Sequence, residues 1–558
     1  MSDPTSPDQP AAPRRQLTLF DSTCIFVGII IGVGIYQFSP SIAGGAYCWW
    51  GVLLIWCVGG LISLCGAFLY AELATAYPKE GGDYVYLTRA YGRWAGFLFG
   101  WVQLAVVRPA DIAVMAFAFA MYAGTIFDPL ANLKTSTMEQ ICACAAVFLL
   151  TAINILGVRQ GKWTQNSLTV VKVLGLVAIV VVGLAAPTNT TSRIVPDAPT
   201  LTAGSFGLPT ADGLTSGGRY YYRVAFYEPD TKRTSPPSVS IPVTLGADQN
   251  QVTVADLPDD PSSEYSRLRI YRTKANHDDR SEYFLVGKQD LAAAAPPLVD
   301  GVSDEALDDK TSKFELQPWH MALIFVLFTF GGWHEMGFVA AEVKNPKRNI
   351  VRALLLGTVA VTVLYLLLNA VFLYALGYKG LVFSGAVATD TVSTVFPEIG
   401  GRLISVLVCI SALGAINGLI FTGARISYAV GADHRVFRAL GAWDPKRGTP
   451  VRSLLLQGSL AVALIVILGS FIDAVLYMAP VVYLFYLATG LSVIVLRHKE
   501  PQVERPYRAT GYPVTTLVFC AVCAFLIYAA VTYDPWLSVV AISIVFLGLP
   551  LYWFTRKR

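Results

Sequence analysis

Charge is scarce in this chain: Asp, Glu, Lys and Arg together make up 14% of 558 residues. A soluble chain of this length carries about 25% charged residues to cover its surface, so a soluble multidomain protein is excluded. Histidine is scarcer still. The five histidines are dispersed, and none stands at metal-ligand spacing with the nine cysteines, Cys24, Cys48, Cys57, Cys65, Cys142, Cys144, Cys409, Cys520 and Cys523. There is no phosphate-cradling glycine loop and no nucleophile elbow. The sequence therefore offers no enzyme constellation, no metal site and no cofactor site. The cysteines lie in or beside apolar runs, where free buried thiols are expected. Residues 1–16, MSDPTSPDQPAAPRRQ, have no apolar centre and no small-residue cleavage site, which excludes a secretory signal and leaves a short disordered cytoplasmic tail. The net charge of +4 is spread over loops, which bears on topology and not on nucleic acid.

What the chain has in abundance is apolar length. Hydrophobic residues make up 54%, and windows of about 20, enough to cross about 30 Å of hydrocarbon, recur near 19–38, 47–74, 94–123, 139–157, 164–186, 319–341, 350–376, 402–430, 452–472, 475–497, 513–532 and 535–555. The pattern predicts an all-α polytopic membrane protein with twelve transmembrane helices. Arg14 and Arg15, Lys79 to Arg93, Arg159 and Lys162, Lys344 to Arg352, Arg435 to Arg452, Arg497 to Arg508 and the terminal Arg556, Lys557 and Arg558 fall on one side of that scheme. By the positive-inside rule this side is the cytoplasm, which puts both termini inside a plasma (inner) membrane.

After Pro187 the composition changes, and to about Lys313 no run could cross a bilayer. GGRYYYRVAFYEP, SVSIPVTLG, NQVTVADLP, RLRIYRTK and SEYFLVGKQ alternate apolar and polar residues between turn clusters, as short antiparallel strands of a sandwich do. We therefore expect spans one to five over 17–187, an inserted β-sandwich over 188–313, spans six to ten over 314–497, and spans eleven and twelve with a cytoplasmic tail over 498–558. Counted from a cytoplasmic tail, the insert is extracytoplasmic. It has no Cys to staple it and one N-x-T sequon, at Asn189. The insert has three readings: a passive ornament, a lid, or a dock for an extracytoplasmic partner.

Two glycine-rich stretches interrupt the apolar runs. GIIIGVGIY, residues 28–36, begins with a G-x-x-x-G pair whose ordinary meaning is close helix packing. A second, FVLFTFGGWHEMGFVAAEV (325–343), carries Gly331-Gly332 in the sixth window. If spans one to five and six to ten form two inverted repeats, both interruptions fall in the first helix of a repeat, the pattern that marks a midplane transporter site. Backbone unwound at that depth persists only where it is buried or lines a cavity. Free amides at a half-helix start attract a carboxylate and free carbonyls suit an ammonium, so one break of each kind fits an α-amino acid.

GIIIGVGIY, YAELATAYPKEGGDYVYL (70–87), VVRPADIAV (106–114), FTFGGWHEMGFVAAEVKNPKRNIVRAL (328–354), SALGAINGLIFTGARISYAVGAD (411–433) and ERPYRATGYPVT (504–515) resemble, in order, the L-type amino acid transporter branch of the amino acid, polyamine and organocation superfamily. The insert's YYYRVAFYEPDTKRTSPPS resembles late strands of fibronectin type III modules. The family resemblance implies a sodium-independent exchanger of neutral L-amino acids. A proton-coupled symporter and a surface receptor or adhesion protein using the insert are the alternatives. It implies that the substrate carboxylate meets amides of Gly32, Val33 and Gly34, that the amino group meets carbonyls at Phe328, Thr329 and Gly331, that Phe328 gates the site, that Phe330 belongs to the same wall, and that Trp333 lines its floor. Val33 stands where many relatives have Ser, and His334 where Asn commonly follows the Trp. His334 is a binding candidate or a hydrogen-bonded structural histidine.

Lys172 lies about eight residues into the fifth window, about 12 Å deep. It either snorkels to the inner surface or, as the resemblance implies, places an ammonium where sodium-coupled relatives hold a cation, bridging the first and eighth helices through carbonyls. Arg108 and Asp111, three apart, are expected to pair with each other. Glu72 and Arg425 are candidates for an inner-gate interaction or for simple interfacial solvation. The loop 124–140 has no Cys, where eukaryotic relatives join a heavy chain, so no disulfide-linked heavy chain is expected.

Overall fold

The computed structural model describes residues 15–79, 81–126, 135–186, 197–204, 213–228, 233–235, 237–259, 265–278, 283–291, 297–307, 313–314, 319–382, 384, 386–397, 399–468, 471–533 and 535–555. Most of the tail, the loop 127–134 and the Asn189 sequon lie outside them.

The first apolar segment starts as a capped helix. Thr18 Oγ1 accepts from the Asp21 N–H at 3.2 Å, and the Asp21 carboxylate accepts from the Thr18 N–H at 2.9 Å, the reciprocal closure of two orphan donors. The helix Leu19–Ile30 then stops. Helical structure resumes at Gly34–Gln37 and continues in Ser39–Ala46. The sixth segment behaves alike: Trp319–Thr329 ends, Gly331 and Gly332 follow in irregular backbone with Gly332 at φ +137°, and Glu335–Phe338 begins after them. Both glycine stretches are therefore breaks in the helix. Gly28 has the other meaning: a Cβ there would lie 2.2 Å from Thr169 Oγ1, so this glycine lets the first helix pack on Val158–Leu184.

Among the described residues nine helical stretches are long and apolar enough to cross a bilayer. Trp319–Thr329, Val451–Ile467 and Ser538–Trp553 are apolar but shorter. Of the twelve expected windows, eight hold one long helical stretch, 19–38 holds a long stretch broken after Ile30, and three hold a shorter helix, the 319–341 window because its break comes after eleven residues. The centre of the bundle is Gly400–Asp433, buried on nearly all sides, which an apolar helix with small residues can be: Gly418 approaches Ile29 so closely that a Cβ would sit 2.5 Å from its Cγ1.

Among the described residues, 200–314 holds nine strands. Thr200–Gly204, Gln251–Ala255 and Leu298–Asp300 form one antiparallel sheet. Arg219–Glu228, at the heart of the second, pairs with Arg267–Arg272 along its length and with Ile241–Thr244 at its start. Tyr220, Tyr222, Val224 and Phe226 from the second sheet meet Val252 and Val254 from the first in one core, as period-2 alternation requires. Arg272 is buried beside it, 3.3 Å from Asp300 and 3.1 Å from Asp304. All five strands expected from alternation are present.

Two pairings differ from expectation. Glu72 and Arg425 do not meet. Glu72 holds Arg497 at 2.5 Å and accepts from the Ala509 N–H at 2.7 Å, while Arg425 holds Glu342 at 2.5 Å. Both are buried, which rules out interfacial solvation: a charge this deep requires a partner, and each finds one on the segment that packs beside it. Arg108 likewise reaches Glu335 at 2.7 Å instead of Asp111, because its guanidinium points toward the second break.

Candidate functional site

The two breaks touch. A Cβ on Gly34 would lie 2.8 Å from Thr329 Oγ1, and one on Gly332 would lie 2.8 Å from Ile30 Cγ1. Between them opens a cavity. Gly32 and Gly34 line it from the first break, and Phe328, Thr329, Gly331, Gly332 and His334 from the second.

The backbone at the breaks carries the polarity. The Gly32 N–H donates to Ile30 O at 2.7 Å, whereas among the described residues the Val33 and Gly34 N–H groups have no acceptor. Phe328 O accepts from the Gly331 N–H at 3.0 Å, and among the described residues the carbonyls of Thr329 and Gly331 accept no backbone bond. Unpaired donors thus stand on one break and unpaired acceptors on the other. Buried groups of this kind cost about 1–3 kcal/mol each when left dry.

Lys172 is fully buried, so it does not snorkel. Its ammonium donates to Gly28 O and Ile31 O at 2.7 Å each and to Ser411 O at 3.0 Å. It bridges the first helix to Gly400–Asp433 through three carbonyls, with all three ammonium donors used.

Not every expected residue reaches the cavity. The ring of Phe330 lies 5.8 Å from that of Trp56 and 5.2 Å from that of Tyr365, and Trp333 packs on Phe519 and against Gly66. Both pack against the helix Trp49–Ala76, and neither lines the cavity. The Val33 side chain is buried elsewhere as well. Phe328 is partly exposed, its ring edge-on to Phe38 at 5.7 Å. His334 uses both ring nitrogens: Nδ1 lies 2.8 Å from Tyr486 Oη and Nε2 lies 2.9 Å from Glu335 Oε1. It is at once hydrogen-bonded and on the wall.

Sequence reasoning missed Glu335 and Gln103, which also line the cavity. A signal for Glu335 existed: a cation as deep as Arg108 needs an acid, and the second break supplies one next to His334.

Residues 17–219 and 295–552 match the profile of the family described as amino acid permease. The chain belongs to that family. The permease is similar to the b(0,+)-type amino acid transporter 1 of Mus musculus, 24% identical over 541 residues covering 97% of this chain and 87% of that one. It is similar to the serine/threonine exchanger SteT of Bacillus subtilis, 24% identical over 549 residues and 98% of both chains. It is also similar to the large neutral amino acids transporter small subunit 2 of Homo sapiens, 24% identical over 545 residues, 97% of this chain and 80% of that one. These relatives are amino acid transporters and exchangers, and with the apolar helices they mark the permease as a membrane protein. Residues 220–294, which carry most of the strands, lie outside the family match.

Proposed function

We propose that this permease exchanges L-α-amino acids, neutral ones among them, across the plasma (inner) membrane without sodium, by alternating access around its two breaks. The carrying observation is the pair of breaks facing one cavity, with the free amides of Val33 and Gly34 on one and the free carbonyls of Thr329 and Gly331 on the other. The carboxylate sits at the amides and the ammonium at the carbonyls. Gly32 shapes the break, its own N–H being occupied, and Phe328 closes over the substrate. Lys172 supplies a fixed positive charge between the first helix and Gly400–Asp433, which makes sodium dispensable.

The same reading takes the twelve apolar windows as twelve spans, the first ten as a five-plus-five inverted repeat, both termini as cytoplasmic and the β insert as an extracytoplasmic, fibronectin III-like unit. The gap in the family match over 220–294 supports an insertion. The human relative is named a small subunit. The permease works without a disulfide-linked heavy chain, since its 124–140 loop has no Cys.

The test is reconstitution of the purified chain in liposomes. Uptake of labelled amino acid that requires unlabelled amino acid inside, and is equal in sodium and choline buffers, is the expected result. Uptake into empty vesicles accelerated by a pH gradient would make the protein a proton-coupled symporter instead, and no uptake under any condition would remove the transport reading.

A further inference from the structure

The cations of the β insert gather on one face. Tyr220, Tyr222, Val224 and Phe226 point into the sandwich core, so the period of two turns Arg219, Tyr221, Arg223 and Tyr227 outward. Register sets Arg267 opposite Tyr227 and Arg269 opposite Ala225, and on the next strand Asp290 opposite Arg267 and Lys288 opposite Arg269. The outer face of this sheet thus carries Arg219, Arg223, Arg267, Arg269 and Lys288. Among the described residues of its strands the one acid on that face is Asp290, which lies 2.7 Å from Arg267. The other sheet turns Thr200, Thr202, Gln251, Thr253 and Val299 outward, none of them charged.

The basic face has an aromatic floor. Tyr271 and Tyr283 are buried with Ala225 in a small cluster of their own. Arg223 lies over the Tyr283 ring at 4.8 Å, Arg269 over the Tyr227 ring at 3.3 Å and Arg219 over the Tyr221 ring at 5.0 Å. A guanidinium held over a ring is oriented in advance for forked pairing with a phosphate. The chain also ties this sheet closely to the bundle. Its edge strand Lys313–Phe314 pairs with Tyr283–Asp290, and Trp319 opens the apolar helix Trp319–Thr329 five residues after Phe314. Five residues span at most about 18 Å. Trp319 is 52% exposed, as an aromatic at a membrane interface is. The uncharged sheet joins the bundle through the longer stretch from Leu184 to Thr200.

We propose that the outer face of this sheet docks on the anionic phospholipid headgroups of the bilayer that holds the bundle, laying the insert on the membrane. The docking requires the bundle to lie in a membrane and is independent of the transport reading. Each Lys or Arg near an anionic surface is worth about fivefold in partition, and the attraction fades within a Debye length. A face with one sign of charge, tied within chain reach of the headgroups, meets both conditions. Zwitterionic lipid offers it no net attraction.

The test places the full chain in nanodiscs of phosphatidylcholine, alone or mixed two to one with phosphatidylglycerol. Acetylation of Lys288 by a water-soluble ester is followed by peptide mass spectrometry. Lys288 and the reference Lys446, in a loop of the bundle, are both exposed, and surface potential alone slows the two alike. The expected result is a Lys288-to-Lys446 ratio that falls about fivefold or more with phosphatidylglycerol and returns in high salt. In the double variant Arg219→Gln with Arg267→Gln, both exposed, that fall is expected to be lost. An equal ratio in the two lipids overturns the docking, and so does a fall that salt does not reverse or that a folded double variant keeps. Should that variant not fold, the lipid and salt comparison decides alone. Dextran sulfate added to the phosphatidylcholine discs is the remaining arm. Protection of Lys288 by this soluble polymer, with none by phosphatidylglycerol, assigns the face to an acidic polymer and overturns the docking on lipid.

Discussion

Lys172 satisfies two carbonyls at the first break, Gly28 O and Ile31 O, and adds a bond to Ser411 O inside the continuous helix Gly400–Asp433. Its removal strands the two carbonyls of the break in a buried place, at about 1–3 kcal/mol each. Lys172→Ala is therefore expected to lower exchange by more than tenfold and to lower the thermal unfolding midpoint in detergent, both readable on purified protein. Unchanged uptake would show that the ammonium is not needed. Gly332 makes a different demand. At φ +137°, with Ile30 Cγ1 2.8 Å from where a Cβ would stand, Gly332→Ala is strained by about 1–3 kcal/mol and pushes the two breaks apart. Uptake should fall while the secondary structure, followed by circular dichroism, stays the same.

At the scale of elements, the far ends of the broken segments are tied together. Leu17 pairs with Val343, the Leu17 N–H donates to Glu342 O at 2.9 Å, and Glu342 holds Arg425. The chain before the first break, the chain after the second and Gly400–Asp433 thus meet at one buried ion pair. Removing one partner of such a pair costs about 3–5 kcal/mol, because the other charge is left alone in the interior. Glu342→Ala is expected to destabilise the protein by that order in thermal unfolding, and the double variant with Arg425→Leu to recover part of the loss. No recovery would mean that the two residues act separately. Periodicity located these helices, but not this tie, since Glu342 and Arg425 lie 83 residues apart and nothing local relates them.

At the scale of the whole molecule, the strands of 200–314 have a core of their own, built from Tyr220, Tyr222, Val252 and Ile270 among others. A unit with its own core is expected to fold without the bundle. Deletion of 190–311 is therefore expected to leave exchange measurable in liposomes, and complete loss would make the insert part of the transport machinery. Topology is checked with cysteines introduced by Ser216→Cys in the insert and Lys446→Cys in a basic loop. An impermeant thiol reagent on intact cells should label the first only, and the reverse pattern would invert the orientation.

The sequence by itself determined the apolar windows, the alternating strands and the two places where the helix comes apart. These follow from composition and local backbone preference: glycine runs within apolar helices and period-2 patterns express themselves wherever the chain goes. It also marked Lys172, because a lone cation deep in a span has few ways to be satisfied. Only the tertiary structure decided the partners. Arg108 takes Glu335 over its near neighbour Asp111, Glu72 and Arg425 go to different mates, and Phe330 and Trp333 turn away from the cavity they were expected to line. A buried charge takes whichever opposite charge the packing brings within reach, and the turn of an unwound segment is set by what packs on either side. Both depend on contacts between distant parts of the chain.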